Sequence, residues 1–230
     1  MLAHLDLSSN SNFGAAGAER LAGLLGKCRE LVHLNLRGNK IGAGGAERLA
    51  GVLPQCTALA HLDLSDNQIG AAGAERIAGV LAQCAALTHL NLHLNGIGPA
   101  GAQRFAGVLG QCTALAHLDL GGNWMGAAGA ECLAVVLGQC PALTHLNLCV
   151  NNIGPGETES LAGMLPQCPV LAHLDLRNND ITDAGAESIG GVLAQCPALA
   201  HLDFRANGIG TVGRGRLRAS WRGQASDLVL

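Results

Sequence analysis

Residues 61–88 read HLDLSDNQIGAAGAERIAGVLAQCAALT, and residues 89–116 read HLNLHLNGIGPAGAQRFAGVLGQCTALA. They are one unit written twice. Working outward from this pair, the block HLDL or a variant of it begins at His4, His33, His61, His89, His117, His145, His173 and His201, with one spacing of 29 and six of 28. The longer step comes from one extra residue in the first loop, SNSNFG against the later NKIG. A fixed period of this size belongs to chains whose units stack on one another, because no single unit can bury its hydrophobic side alone.

The unit is LxxLxLxxNxIGxxGAExLAxxLxxCxx. Its first half alternates with period two, so Leu59, Leu62 and Leu64 face one side of a short strand. Its second half spaces apolar residues for a helix, with Ala46, Leu49, Ala50 and Leu53 on one narrow buried face. Gly, or Thr182 in one copy, stands at the expected helix N-cap, and Pro99 and Pro155 stand at the expected first helical position. Pro54 and Pro166, or Pro141, Pro169 and Pro197, mark the exits. A strand and a helix repeated in one direction predict an α/β solenoid, with parallel strands on the concave face and helices on the convex face. Eight repeats form a single domain over residues 1–230, at about 2–30, 31–58, 59–86, 87–114, 115–142, 143–170, 171–198 and a degenerate capping repeat 199–230.

Composition narrows the function. With 49% hydrophobic and 13% charged residues the chain can fill a core, but it has only three Phe, two Trp and no Tyr. A net charge of -3 and the lack of aromatics to stack bases argue against nucleic-acid binding. The longest strictly aliphatic run, Leu133 to Leu137, is far too short for a membrane span, and MLAHLDLSSN carries no secretory signature. A cytoplasmic location is the expectation. There is no phosphate-binding GxxxxGK[ST] loop, no GxSxG elbow and no HExxH, and the Ser, His and Asp residues follow the repeat instead of breaking it. The expectation is a non-enzyme that needs no cofactor or metal.

The units resemble the leucine-rich repeats of ribonuclease-inhibitor type, which combine strand, Asn and helix in 28 residues. The GAExLAxxLxxC copies look most like the repeat domains of NOD-like receptors, with ribonuclease inhibitor and Ran GTPase-activating protein as more distant relatives. The resemblance covers nearly the whole chain and implies a horseshoe that binds a protein on its concave sheet. As implied by it, the function is a non-catalytic interaction module, including the sensor part of a NOD-like receptor. A GTPase regulator and a ribonuclease inhibitor are the alternatives.

Four columns follow from the period. Asn10, Asn39, Asn67, Asn95, Asn123, Asn151, Asn179 and Asn207 are expected to satisfy backbone groups where each strand turns away. Seven of the nine cysteines, from Cys28 to Cys196, form a second column. Helices packed about 8–10 Å apart hold such thiols too far apart to bridge, so they are expected to be reduced. Cys132 and Cys149 lie outside it, Cys132 at a helix position that Arg48 and Arg76 occupy elsewhere, where an accessible thiol is expected. The eight repeat histidines alternate with the inward leucines and therefore face the concave surface, two residues before Asp6, Asn35, Asp63, Asn91, Asp119, Asn147, Asp175 and Asp203. Asn at every second place relieves repulsion between carboxylates until Asp203 breaks the alternation. At an effective dielectric near 20, two charges about 5 Å apart repel by roughly 3 kcal/mol before screening, so the His column is expected to titrate as coupled sites.

The candidate partner-binding residues cluster in repeats 4 to 6: His89, His93, Leu94, His117, Asp119, Trp124, His145, Cys149 and Val150. Here Arg37 and Gly38, or Ser65 and Asp66, give way to His93 and Leu94, then Gly121 and Gly122, then Cys149 and Val150. A shallow apolar trough is expected beside a solvent-facing Trp124, which either contacts a partner or folds over the space left by the two glycines. The ends differ as well. Residues 1–203 carry 9 basic and 16 acidic side chains, whereas 204–230 carry 5 and 1. Arg214, Arg218 and Trp221 replace buried small or aliphatic residues, and Leu228, Val229 and Leu230 follow, which predicts a cap over the open core; an anion-binding tail is the other reading. At the other end Met1 and Leu2 run straight into a strand motif, which suggests self-association or an upstream domain.

Overall fold

The computed structural model describes residues 2–230, so Met1 lies outside the described residues. Strand and helix alternate along the chain: β1 His4–Asp6, α1 Gly14–Leu25, β2 His33–Asn35, α2 Gly42–Ala50, β3 His61–Asp63, α3 Gly70–Leu81, β4 His89–Asn91 and α4 Gly98–Leu109. The second half continues with β5 His117–Asp119, α5 Gly126–Leu137, β6 His145–Asn147, α6 Pro155–Met164, β7 His173–Asp175, α7 Asp183–Val192, β8 His201–Asp203, α8 Thr211–Ser220 and β9 Leu228–Val229. The nine strands form one parallel sheet in sequence order. Pairing is in register throughout, His33 opposite His61 and Asn91 opposite Asp119 for example, so residues equivalent in sequence become neighbours in space.

Leu34, Leu62, Leu90, Leu118, Leu146 and Leu174, the middle residues of β2 to β7, are buried against the helices. Ile41, Ile69, Ile97, Met125, Ile153 and Ile181 complete each layer at the turn into the helix. The helices meet at small residues. A Cβ built on Gly73 would lie 3.0 Å from the Ala46 methyl of the previous repeat, and on Gly101 it would lie 3.1 Å from that of Ala74. This close approach is why GAExLA carries a glycine at that point and why so few aromatics are needed to fill the interior.

Helix entrances divide into two kinds, which corrects the single Gly N-cap expected from sequence. In α1 to α5 the preceding Phe13, Ile41, Ile69, Ile97 and Met125 are already helix-like, and Gly14, Gly42, Gly70, Gly98 and Gly126 open the helix at φ between 54° and 65°. That left-handed conformation is what glycine supplies without a Cβ clash. In α6 to α8 the caps Gly154, Thr182 and Gly210 are extended, and Pro155 takes the first helical position. Pro99 sits one residue further in, as the second residue of α4. Pro54 and Pro166 lie within short 3-10 turns, Leu53–Gln55 and Leu165–Gln167, where their helices stop.

The C-terminal end is closed twice. Leu228 and Val229 add β9 alongside β8, and Trp221 and Leu230 pack half-buried against the core. Arg214 turns its Nε to donate to Ile209 O at 3.0 Å, which keeps a charge out of the apolar layer. Asp183 accepts from the Gly210 and Gly213 amides at 2.7 and 3.1 Å and so caps α8 from the neighbouring repeat. At the other end β1 is an edge strand, with Leu2 exposed and Leu5 and Leu7 half-buried.

Candidate functional site

Three-residue strands paired in register give the concave face two columns of side chains, and the residues two further along give a third. The first is the histidine column. From His4 to His173 consecutive imidazoles stack with centroids 3.9–4.3 Å apart and planes within 10–21° of each other. This spacing is shorter than the 4.7–4.9 Å between strands, because side chains on a concave face converge. The last step, His173 to His201, opens to 5.6 Å and 32°. Burial first, and neighbouring rings second, hold His61 and His117 below the ordinary imidazole range and push His89 and His145 down to about 4. The Thr88 and Thr144 hydroxyls lie 2.8 and 2.9 Å from Nδ1 of His89 and His145.

The second column alternates acid and amide. Asn35, Asn91 and Asn147 donate from Nδ2 to Asp6, Asp63 and Asp119 at 3.1, 3.2 and 3.0 Å, so each amide bridges to the carboxylate before it. Repeats 7 and 8 lack this device because Asp175 and Asp203 are adjacent. Arginine substitutes for it: Arg177 Nη2 donates to Asp175 at 2.6 Å, Arg205 Nη2 donates to Asp203 at 2.7 Å, and Arg177 Nε lies 3.5 Å from Asp203. Burial raises the Asp203 pKa, but hydrogen bonds and charge from Arg205 and Arg177 outweigh it and leave the carboxyl below its ordinary value. The sequence reading missed these two arginines. Their signal was the repeated Asp-x-Arg at 175–177 and 203–205.

The third column, two residues further along, contains Ser65, His93, Gly121, Cys149 and Arg177, and here the expected trough is filled. A Cβ on Gly121 would lie 2.6 Å from His93 Nδ1 and 2.8 Å from Cys149 Sγ, and one on Gly122 would lie 2.6 Å from Leu94 Cδ2. The neighbours have folded into the volume that the glycines vacate. Cys149 is consequently 4% exposed, and burial, with Asp175 and Asp119 nearby, pushes its thiol up to about 11. It lies beneath the surface and presents almost no area for contact. His93 Nδ1 is buried with no hydrogen-bond partner, 3.5 Å from Asp119 Oδ1. That carboxylate favours the protonated ring and holds the His93 pKa above its ordinary value against the cost of burial.

Trp124 does not fold over the glycines: it is 68% exposed, and Leu94 and Val150 of the repeats before and after it are 48% and 36% exposed. All three adopt left-handed backbone, at φ 52°, 55° and 56°. Elsewhere the Leu94 and Val150 position carries Ser9, Gly38, Asp66, Gly122, Asn178 and Ala206, most of them polar or glycine. His89, His117, His145 and Asp119 line a groove of about 620 Å³ that runs along the concave face from His33 to Arg205. The apolar trio stands at its edge, where strand turns toward helix. Cys132 is half-buried against the core, less accessible than its sequence position suggested. The repeat cysteines are free thiols, and burial pushes Cys84, Cys140 and Cys168 up to about 11. Among the described residues no group of three His, Cys, Asp or Glu is placed to hold a metal ion, and no helix is long and apolar enough to cross a membrane.

Comparison with known proteins agrees with this geometry. The family described as Leucine Rich repeat matches residues 1–22, 27–50, 55–78, 83–106, 111–134 and 167–190, more than half of the chain. A crystal structure of an internalin C2 from Listeria monocytogenes superposes with a TM-score of 0.62 at 20% sequence identity, over 99% of this chain and 79% of that one. At that identity the likeness is one of fold. No curated protein matches the chain by sequence.

Proposed function

Because the chain belongs to the leucine-rich repeat family, we propose that it is a non-catalytic protein-recognition module that holds a protein partner on the concave groove and its strand-to-helix edge. The observation that carries this reading is the trio Leu94, Trp124 and Val150, which is exposed, apolar and in left-handed backbone at once. Exposed apolar area costs free energy in the isolated chain, and a contact surface removes that cost on binding. Within the proposed surface His89, His117, His145 and Asp119 form the polar floor, and His93 sets the height of the floor beside Leu94.

The α-helix present in every unit supports a ribonuclease-inhibitor-type reading within the family, and the acidic body of residues 1–203 suits a basic ligand. Affinity capture with mass spectrometry tests the proposal when run in parallel on the native chain and on Trp124→Ala and Leu94→Ser variants. A partner retained by the native chain and lost from both folded variants supports it. Equal capture by all three removes the site from this edge. Stimulated GTP hydrolysis in a panel of small GTPases would replace pure recognition by a regulatory activity, and a ribonuclease inhibition assay tests the inhibitor reading.

A further inference from the structure

We propose that the edge around Trp124 takes an extended peptide segment with a large apolar residue at its centre and a Lys or Arg three residues to either side. The inference rests on the recognition reading above and specifies the chemistry of the partner.

The strand-to-helix edge changes character along the solenoid. Leu94 and Val150 hold the same place in repeats 4 and 6, Trp124 of repeat 5 stands two residues further along its unit, and together they give three consecutive units an exposed apolar residue. On one side Asp66 of repeat 3 precedes Leu94 at the same place in the unit, and on the other Asp180 of repeat 7 stands at the place of Trp124, beyond Asn152 of repeat 6; both are exposed. Neither carboxylate makes a hydrogen bond or an ion pair within the described residues, in contrast to Asp175 and Asp203, which are held by Arg177 and Arg205. Asp66 leans toward Gly38, away from Leu94, with Oδ2 3.8 Å from the place a Cβ would occupy there. Leu94 leans the opposite way, over Gly122. One free carboxylate therefore lies beyond each end of this apolar step, with Leu94 turned toward its middle.

Spacing fixes the length of the segment. Asp66 and Asp180 are four repeats apart, which at 4.7–4.9 Å per strand is about 19 Å between their backbones along the sheet, and a long Lys or Arg side chain covers the further reach toward Gly38. An extended chain advances about 3.3 Å per residue, so about six residues separate two cations that reach both carboxylates. The residue midway between them falls over repeat 5, at Trp124 and the Gly121–Gly122 floor. A guanidinium or ammonium group that passes over the exposed indole also gains a cation–π contact. An acidic segment meets like charge at both ends, so the same geometry selects against it.

The test uses three acetylated and amidated heptapeptides as probes: Lys-Ser-Leu-Phe-Leu-Ser-Lys, the same sequence with Glu at both ends, and one with both Lys moved inward beside Phe. Calorimetric titration gives the affinities, and backbone amide shifts at residues 93–96, 122–126 and 150–152 locate the site. The proposal expects the first peptide to bind at least about fivefold more tightly than either of the others at low salt. It also expects Asp66→Asn with Asp180→Asn to remove most of that advantage and 500 mM salt to do the same. Equal affinity for the Lys and Glu peptides overturns the proposal, as does an advantage that survives the double substitution, or no shift with any peptide. A protein partner captured in a Trp124-dependent way but indifferent to Asp66 and Asp180 would leave the recognition reading standing and refute this chemistry alone.

Discussion

His117 and Asn123 lie six residues apart in one unit, and each recurs in every other copy, yet the two columns do opposite things. Asn123 is fully buried. Its Oδ1 accepts from the Asn95 and Ile97 amides at 3.0 and 3.3 Å, and its Nδ2 donates to Leu92 O and Leu120 O at 3.0 and 2.9 Å, with Gly121 O a further 3.2 Å contact. Every valence of the amide is filled by its own turn and the preceding repeat. His117 stacks on His89 and His145, and its outer edge faces an open groove. Repetition builds a frame where the column lies inside a turn and a titratable surface where the same column faces solvent. Environment, not periodicity, separates the two.

The largest expected effect strikes the frame. Asn123→Ala leaves the Asn95 and Ile97 amides without an acceptor in the middle of the solenoid, while Leu92 O and Leu120 O keep the Asn95 and Asn151 side-chain amides, and at about 1–3 kcal/mol for each unpaired amide a loss of about 2–5 kcal/mol is expected in urea unfolding. His117→Ala should cost far less, and comparable losses would erase the distinction between the columns. Acid should act on the surface column next. His89 and His145 titrate near 4 when folded against about 6.5 when unfolded, so the unfolded chain binds more protons between those values. This contribution is intact above pH 6.5 and is lost as pH falls to about 4. After allowance for solvent screening on half-exposed rings it amounts to on the order of 1 kcal/mol per ring. His93 opposes it: its raised pKa adds stability below the ordinary value, lost as pH rises through the folded pKa. Stability that stays flat from pH 7 to 4 would show that burial does not depress these rings, and eight superimposed histidine titrations by NMR would show that they do not couple.

Smaller effects sharpen the boundary between frame and contact surface. Val150→Asn replaces a β-branched residue at φ 56° with one that tolerates left-handed backbone, and an increase in stability of about 1 kcal/mol is expected in thermal melts. A destabilised variant would mean that Val150 belongs to the frame. Trp124→Ala should change stability by less than about 0.5 kcal/mol, since the ring is mostly in solvent, while removing an interface residue of the type that dominates binding energies. A large drop in melting temperature would assign the ring a packing role.

Much of this was legible because identical spacing forces identical environments. The unit beginning at His61 predicts the strand at His61–Asp63, the buried Asn67 and the helix over Gly70–Leu81, and each neighbour repeats the answer. Trp124 was legible for the opposite reason: it departs from the Lys40, Gln68 and Asn152 pattern at a solvent-facing place. Cys149 was not legible. Its burial depends on the glycine one repeat earlier, and contacts across 28 residues are visible only once the register is known. The reach of Arg177 across to Asp203 required the same knowledge, as did the parallel docking of β9, whereas the clamps within each Asp-x-Arg were signalled locally.

Sequence alone determined the number of units, their parallel order and which columns face in, because a period of 28 with alternating strand leucines and one helical stripe has a single way to bury its apolar side. Tertiary structure decided which exposed-looking side chains are open to contact. His93 and Leu94 close over Gly121 and Gly122 while Trp124 stays out, because side-chain packing between neighbouring repeats is set by shape and volume at close range, which periodicity does not encode.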